Sequence, residues 1–179
     1  MAEMEIRAYA ADKGFHPQTL ERWLGWDPAD GGALERLAFV LKISENHLRD
    51  LMDWLEELAL RDGVTIQSML IAKAVDDIST NPRLGRADKL KRIKEHLRRM
   101  RFPRLAETED AIRAKIQELK LAPEIRLSVA PGLEGSNLRV EFAAADLAEF
   151  KRLAEKLSRA AEKISAAEIF ALLAGQAKK

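Results

Sequence analysis

The 179-residue chain contains no cysteine. Disulfide frameworks, thiolate zinc sites and iron–sulfur clusters are therefore excluded, and a reducing cytoplasm is the expected location. The start, Met1-Ala2-Glu3-Met4-Glu5, is acidic and has no basic-then-apolar leader pattern. No stretch approaches the ~20 apolar residues of a membrane helix, so no membrane contact is expected. Aromatic residues make up only 6%. Ala and Leu carry most of the apolar surface, a balance that favours helix packing over a large sheet. Nucleophile elbows, phosphate-binding glycine loops and dinucleotide fingerprints are also missing. His16, His47 and His96 share no metal-ligand spacing. The expectation is a protein that is not an enzyme and uses neither cofactor nor metal.

Charge is present in quantity and is segregated. The net charge is +1. Residues 1–82 hold 15 acids and 8 bases, a balance of −7, while residues 83–104 hold 10 bases and 2 acids, a balance of +8. Residues 105–179 hold 12 of each. Such segregation says more about partners than the total does.

Hydrophobic periodicity predicts a mainly α fold with a small α+β C-terminal part. Two short helices are expected over 5–24, the first from Ile6 to Ala11. Pro17 suits the first turn of the second, and Leu20, Trp23 and Leu24 share one face. Asp27 to Gly32 reads as a loop. Leu34, Leu37, Ala38 and Leu41 mark the next helix, and Ser44 is a candidate N-cap for the one after. That helix carries Leu48, Leu51, Met52, Leu55, Leu58 and Ala59 at helical spacing. A single helix is expected from Ile66 to about Ile78, then a loop over 79–87. The expected division is an acidic helical domain at 1–80, a basic linker and helix at 81–104, and a helix-hairpin-helix domain at 105–179.

The pair of helices around Gly14 has the outline of a helix-turn-helix, with His16, Gln18, Thr19 and Arg22 on the candidate reading face. A plain helical hairpin is the competing reading, and its acidic surroundings repel phosphates. Asp50, Asp53, Glu56 and Glu57 are expected to form a solvated acidic face, one that can also dock a basic helix. Trp23, Trp26 and Trp54 sit at or near apolar helical positions and read as core.

The basic segment is the strongest chemical signal. From Ala87 to Arg101, Leu90, Ile93, Leu97 and Met100 form one narrow apolar stripe, and Pro103 ends the helix. Lys91, Arg92, Lys94, Arg98, Arg99 and Arg101 cover the remaining surface, with Arg104 beyond. Duplex DNA carries one charge per ~1.7 Å of axis, so a cationic helix can meet several phosphates at once. These seven residues are the expected contacts to a DNA or RNA backbone. The alternative partner is an acidic protein surface, including the acidic half of the same chain.

After a helix from about Leu105 to Leu121 the period changes to two. Ile125-Arg126-Leu127-Ser128-Val129 and Leu138-Arg139-Val140-Glu141-Phe142 alternate as strands around a turn-forming stretch that includes Gly132 and Gly135. A helix starting near Asp146 then places Leu147, Phe150, Ala154, Leu157, Ala161 and Ile164 on a heptad seam. A short helix from about Ala166 to Leu173 closes the chain. Over 112–157 this order, with the run Ala145-Asp146-Leu147-Ala148-Glu149-Phe150-Lys151-Arg152-Leu153 after the second strand, resembles the C-terminal dimerisation domain of ParB-type chromosome-partition proteins. The resemblance implies strands paired between two chains, helices crossing in a short coiled coil, and accessory DNA binding. Glu134 stands where that family has a lysine-rich turn, the strands offer only Arg126 and Arg139, and the family's phosphate-binding motif does not occur. Dimerisation with accessory DNA binding is what carries over. A homodimer is expected through residues 125–164, with Val129, Val140, Phe142, Phe150 and Leu157 at its centre.

Overall fold

The computed structural model describes residues 2–175. Among them, ten α-helices and one two-stranded antiparallel sheet form two compact units that divide between Arg101 and Phe102. The mainly α architecture with a small hairpin is as expected. The basic segment is not set apart, however: through Arg101 it belongs to the same unit as the acidic helices.

The first unit begins with α1 (Ala2–Lys13) and α2 (Pro17–Leu24) around Gly14, whose φ of 65° suits glycine in a tight turn. Helix α3 spans Pro28–Leu41 and overturns the expected loop at Asp27 to Gly32. Asp27 caps it, accepting from the Ala29 amide at 2.9 Å, and Pro28 occupies the first turn. Gly31 and Gly32 are buried inside it. A Cβ at Gly31 would sit 3.4 Å from the Ile6 side chain, and the Gly31 carbonyl accepts from Trp23 Nε1 at 3.2 Å. The glycines thus mark a close approach of helices, and here that requirement outweighs their poor helix propensity.

Helix α3 ends at Lys42, which takes a left-handed conformation (φ 52°) that ordinarily favours glycine. The buried Tyr9 hydroxyl secures this turn, donating toward the Ala38 and Ile43 carbonyls, each 2.9 Å away. Helix α4 (Glu45–Asp62) follows and buries Leu48, Leu51, Met52, Leu55 and Leu58. Gly63 ends it in the left-handed conformation.

The single helix expected over 66–78 is two, α5 (Ile66–Leu70) and α6 (Lys73–Ser79). Ile66, Met69 and Leu70 are buried on the first and Val75 on the second. At about 100° per residue, Val75 would face half a turn away from the other three on one continuous helix. The break at Ile71–Ala72 turns it back to the core. Helix α7 (Arg86–Arg101) then buries Ile93 and Leu97, with Leu90 and Met100 packed beside them.

The second unit has its own core. Helix α8 (Pro103–Leu119) contributes Ile112 and Leu119, and α10 (Ile164–Leu173) contributes Ile169 and Leu173. Strands β1 (Arg126–Val129) and β2 (Leu138–Glu141) pair antiparallel, with Leu127 opposite Val140 and Val129 opposite Leu138. Helix α9 spans Leu147–Ala161, with Asp146 as N-cap, and buries Leu153 and Ala160. The expected seam is therefore interrupted. Ile164 opens α10 instead of extending α9, because α10 must turn to pack Ile169 and Leu173 on the α8 core.

The helical start of α3 can be tested directly. Asp27→Ala removes a cap and should cost about 1 kcal/mol, read as a lower urea midpoint at unchanged slope.

Candidate functional site

Helix α4 organises the polar surface of the first unit. On one flank its acids engage α2. Glu45 accepts from the Thr19 hydroxyl at 2.6 Å and the His16 amide at 3.0 Å. Arg22 meets Glu56 at 2.7 Å and Asp53 at 2.7 Å, and Trp26 Nε1 donates to Glu56 at 2.7 Å. These donors hold the Glu56 and Glu45 carboxyls below their ordinary values, Arg22 acting first on Glu56 and Thr19 first on Glu45. On the other flank the acids engage α7. Lys94 donates to Asp50 at 2.7 Å, and Arg101 donates to Glu57. Both cations also lie over the Trp54 ring, at 5.1 and 5.3 Å from its centroid. Arg61, near the end of α4, donates to the carbonyls of Met100 and Arg101 at 2.9 and 3.1 Å, capping the negative end of α7.

Two sequence readings change as a result. The acidic face is engaged on both sides by cations of its own chain. The helix-turn-helix outline survives in the order of α1, turn and α2, but two of its four reading residues, Thr19 and Arg22, are engaged by α4, while His16 and Gln18 stay exposed. Thr19 is only 6% exposed, Arg22 is held by two carboxylates, and His16 caps its own helix by accepting from the Gln18 amide at 3.3 Å.

The seven expected contact residues separate into groups. Lys94 and Arg101 are drawn onto α4, their side chains only 21% and 20% exposed. Arg98 pairs with Glu95 at 2.8 Å, and Arg99 is half-buried beside His96. Arg104 lies on α8, in the second unit. Lys91 and Arg92 stay exposed, and among the described residues no carboxylate pairs with them. The same holds for Arg83 and Arg86 before them, and for Lys42 at the end of α3.

Lys42, Arg86 and Lys91 border one cleft of about 710 Å³. Its walls are the Leu41–Ser44 turn, part of α4 and the first three turns of α7. Leu41, Ile43, Trp54 and Leu90 line it, Lys94 and Arg98 reach its edge, and Glu95 is its one acid. Lys42 was missed by sequence reasoning. Its signal was the strained turn, which becomes readable only once Tyr9 is seen to clamp it.

Compared with protein-family models, curated proteins and solved structures, the chain finds no match.

Among the described residues, no group of three or more His, Asp or Glu side chains is placed to hold a metal, and no helix is long and apolar enough to cross a membrane. A second cationic cleft, of about 550 Å³, lies in the second unit between Lys120, Arg152, Lys156, Arg159 and Lys163. The even charge balance of 105–179 concealed it. Glu124 engages both Arg152 and Lys156, and Glu155 lies 3.7 Å from Arg159. Of the expected dimerisation residues, Val129, Phe142 and Leu157 pack on their own core. Val140 and Phe150 remain exposed, Phe150 at 51% and its helix neighbour Leu147 at 67%.

His96 makes the first unit sensitive to pH. Burial first, and the Arg99 charge second, hold its imidazole below the ordinary 6.5. As pH falls through 6.5 the unfolded chain takes up the proton more readily than the folded one, so stability is lost on acidification. Urea midpoints measured from neutral pH down through this window should fall for the wild type, and His96→Gln should flatten that part of the profile.

Proposed function

We propose that the protein is a non-catalytic, dimeric nucleic-acid-binding protein that grips phosphates with little sequence preference. One observation carries this reading: exposed cations with no carboxylate partner among the described residues, drawn from two separate segments, gather at one cleft. Lys42 comes from the α3 turn and Arg86 and Lys91 from α7, while Arg83 and Arg92 are further exposed cations outside the cleft lining. Exposed ion pairs contribute only ~0–1 kcal/mol each, so unpaired surface cations of this number are poorly explained by stability. Lys94 and Arg101 act differently from the sequence expectation. They fix α7 on α4 and so orient the cations that face outward.

Dimerisation is proposed through the second unit. Val140, Leu147 and Phe150 expose apolar surface beside a two-stranded sheet whose outer edges are open among the described residues. Isolated hairpins are marginal in water and open edges invite pairing. The resemblance of this hairpin-and-helix order to a ParB-type dimerisation domain supports the same arrangement.

A salt titration of duplex binding tests the phosphate reading. A dissociation constant of about 10⁻⁴–10⁻⁶ M near physiological salt is expected, with a log–log slope of about −0.9 per phosphate contacted. Reversing Lys91 and Arg92 to Glu together should flatten that slope by about 2 and weaken binding at low salt by more than about tenfold. Unchanged affinity in this variant would reject the reading. Light scattering tests the dimer: the wild type should have twice the chain mass, and Phe150→Glu should shift it toward one chain at unchanged helix content.

A further inference from the structure

We infer that the cleft in the first unit takes a single strand, with one unstacked base against its apolar floor and the flanking phosphates on its cationic rim. This rests on the nucleic-acid reading and narrows it from any phosphate backbone to unpaired DNA or RNA.

Three features of the site favour a strand over a duplex. The first is the floor. Leu41, Ile43, Leu90 and Trp54 line the cleft, and its volume of about 710 Å³ suits a small planar apolar group better than a continuous backbone. A duplex keeps its bases stacked and offers a protein its phosphates and groove edges. It would make no use of this floor, whereas splayed bases of single strands are bound on such surfaces.

The second is where the cations lie. Lys42 stands on the α3–α4 side of the cleft, and Arg86 and Lys91 stand on the α7 side. A chain entering between them meets positive charge on both walls. A rod laid along the outer face of α7 meets a poorer surface. At about 100° per residue, Asp88 and Glu95 share that face with Lys91, Arg92 and Arg99, so carboxylates alternate with cations there. Cations outnumber acids there only three to two, so duplex phosphates along that face gain less than phosphates held between the two cationic walls.

The third is the polar lining. Ser44 stands at the N-cap of α4 yet makes no side-chain capping bond, and His47 is exposed beside it. Both lie on the cleft wall and are short polar groups suited to a base edge or a sugar hydroxyl. With so few edge-reading groups, preference for one base should be small.

Fluorescence anisotropy at low salt separates the possibilities. The probes are labelled oligothymidylate, labelled oligouridylate and a mixed-sequence duplex of the same length, with polyglutamate as a fourth, acidic polypeptide probe. The single strands should bind about tenfold or more tightly than the duplex, and adding them should change tryptophan emission. That change should be lost in Trp54→Phe. Lys42→Glu, a substitution at an exposed position, should weaken strand binding about fivefold or more and duplex binding by a smaller factor. Circular dichroism melts confirm that both variants are folded. Equal affinity for strand and duplex, with no Trp54-dependent signal, overturns the single-strand inference and leaves phosphate binding standing. Absence of binding to strand and duplex alike overturns the nucleic-acid reading itself. Polyglutamate binding that is tighter than strand binding and depends on Lys42 and Trp54 overturns both in favour of an acidic protein partner.

Discussion

Helix α4 is where the apolar and electrostatic demands of the first unit meet. Its inner stripe, Leu48, Leu51, Met52, Leu55 and Leu58, is buried, and every other helix of that unit owes its position to the same core. Its polar surface is split between two neighbours. Glu45, Asp53 and Glu56 hold α2, and Asp50 and Glu57 hold α7. Apolar burial supplies most of the energy, at roughly 25 cal/mol per Å². The ion pairs add less, since most are half-exposed. Their larger contribution is to select one arrangement: repulsion among the carboxylates is relieved when Arg22 of α2 lies on one flank and the cations of α7 on the other.

That constraint shapes the site. A basic helix in isolation offers all of its cations. Once α7 is clasped, Lys94 and Arg101 turn inward over Trp54, and Arg98 is tied to Glu95. What faces outward is a smaller set near the start of the helix, joined by Lys42 from a turn held by Tyr9. Interaction with the acidic half of the chain therefore thins the basic surface without abolishing it, and relocates its centre from the end of α7 to its beginning. The left-handed Lys42 is a cost that the Tyr9 bonds offset, and its consequence is a cation at the mouth of a cleft.

In the second unit, buried and exposed apolar side chains share one helix. Leu153 and Ala160 complete its core from α9, while Leu147 and Phe150 project away from it. The Phe142 and Phe150 rings lie 5.9 Å apart, so one aromatic group reaches from the protected core to the surface.

Local pattern in the sequence determined a good deal. The apolar stripe of α7, its end before Pro103, the loop after α6, the hairpin and the mainly α class all depend on neighbours within a few residues, and periodicity reports those directly. The tertiary structure decided whatever depends on distant partners. Lys94 finds Asp50 across 44 positions, and Arg101 finds Glu57 across the same separation. No local pattern shows which cations are consumed and which remain. Gly31 and Gly32 read as a loop until Trp23 and Ile6 are seen against that helix. The Val75 break and the turned start of α10 likewise answer to cores built elsewhere in the chain. The sequence by itself set where positive charge is concentrated; only the fold, by pairing some of those charges with distant carboxylates, decided which of them face outward.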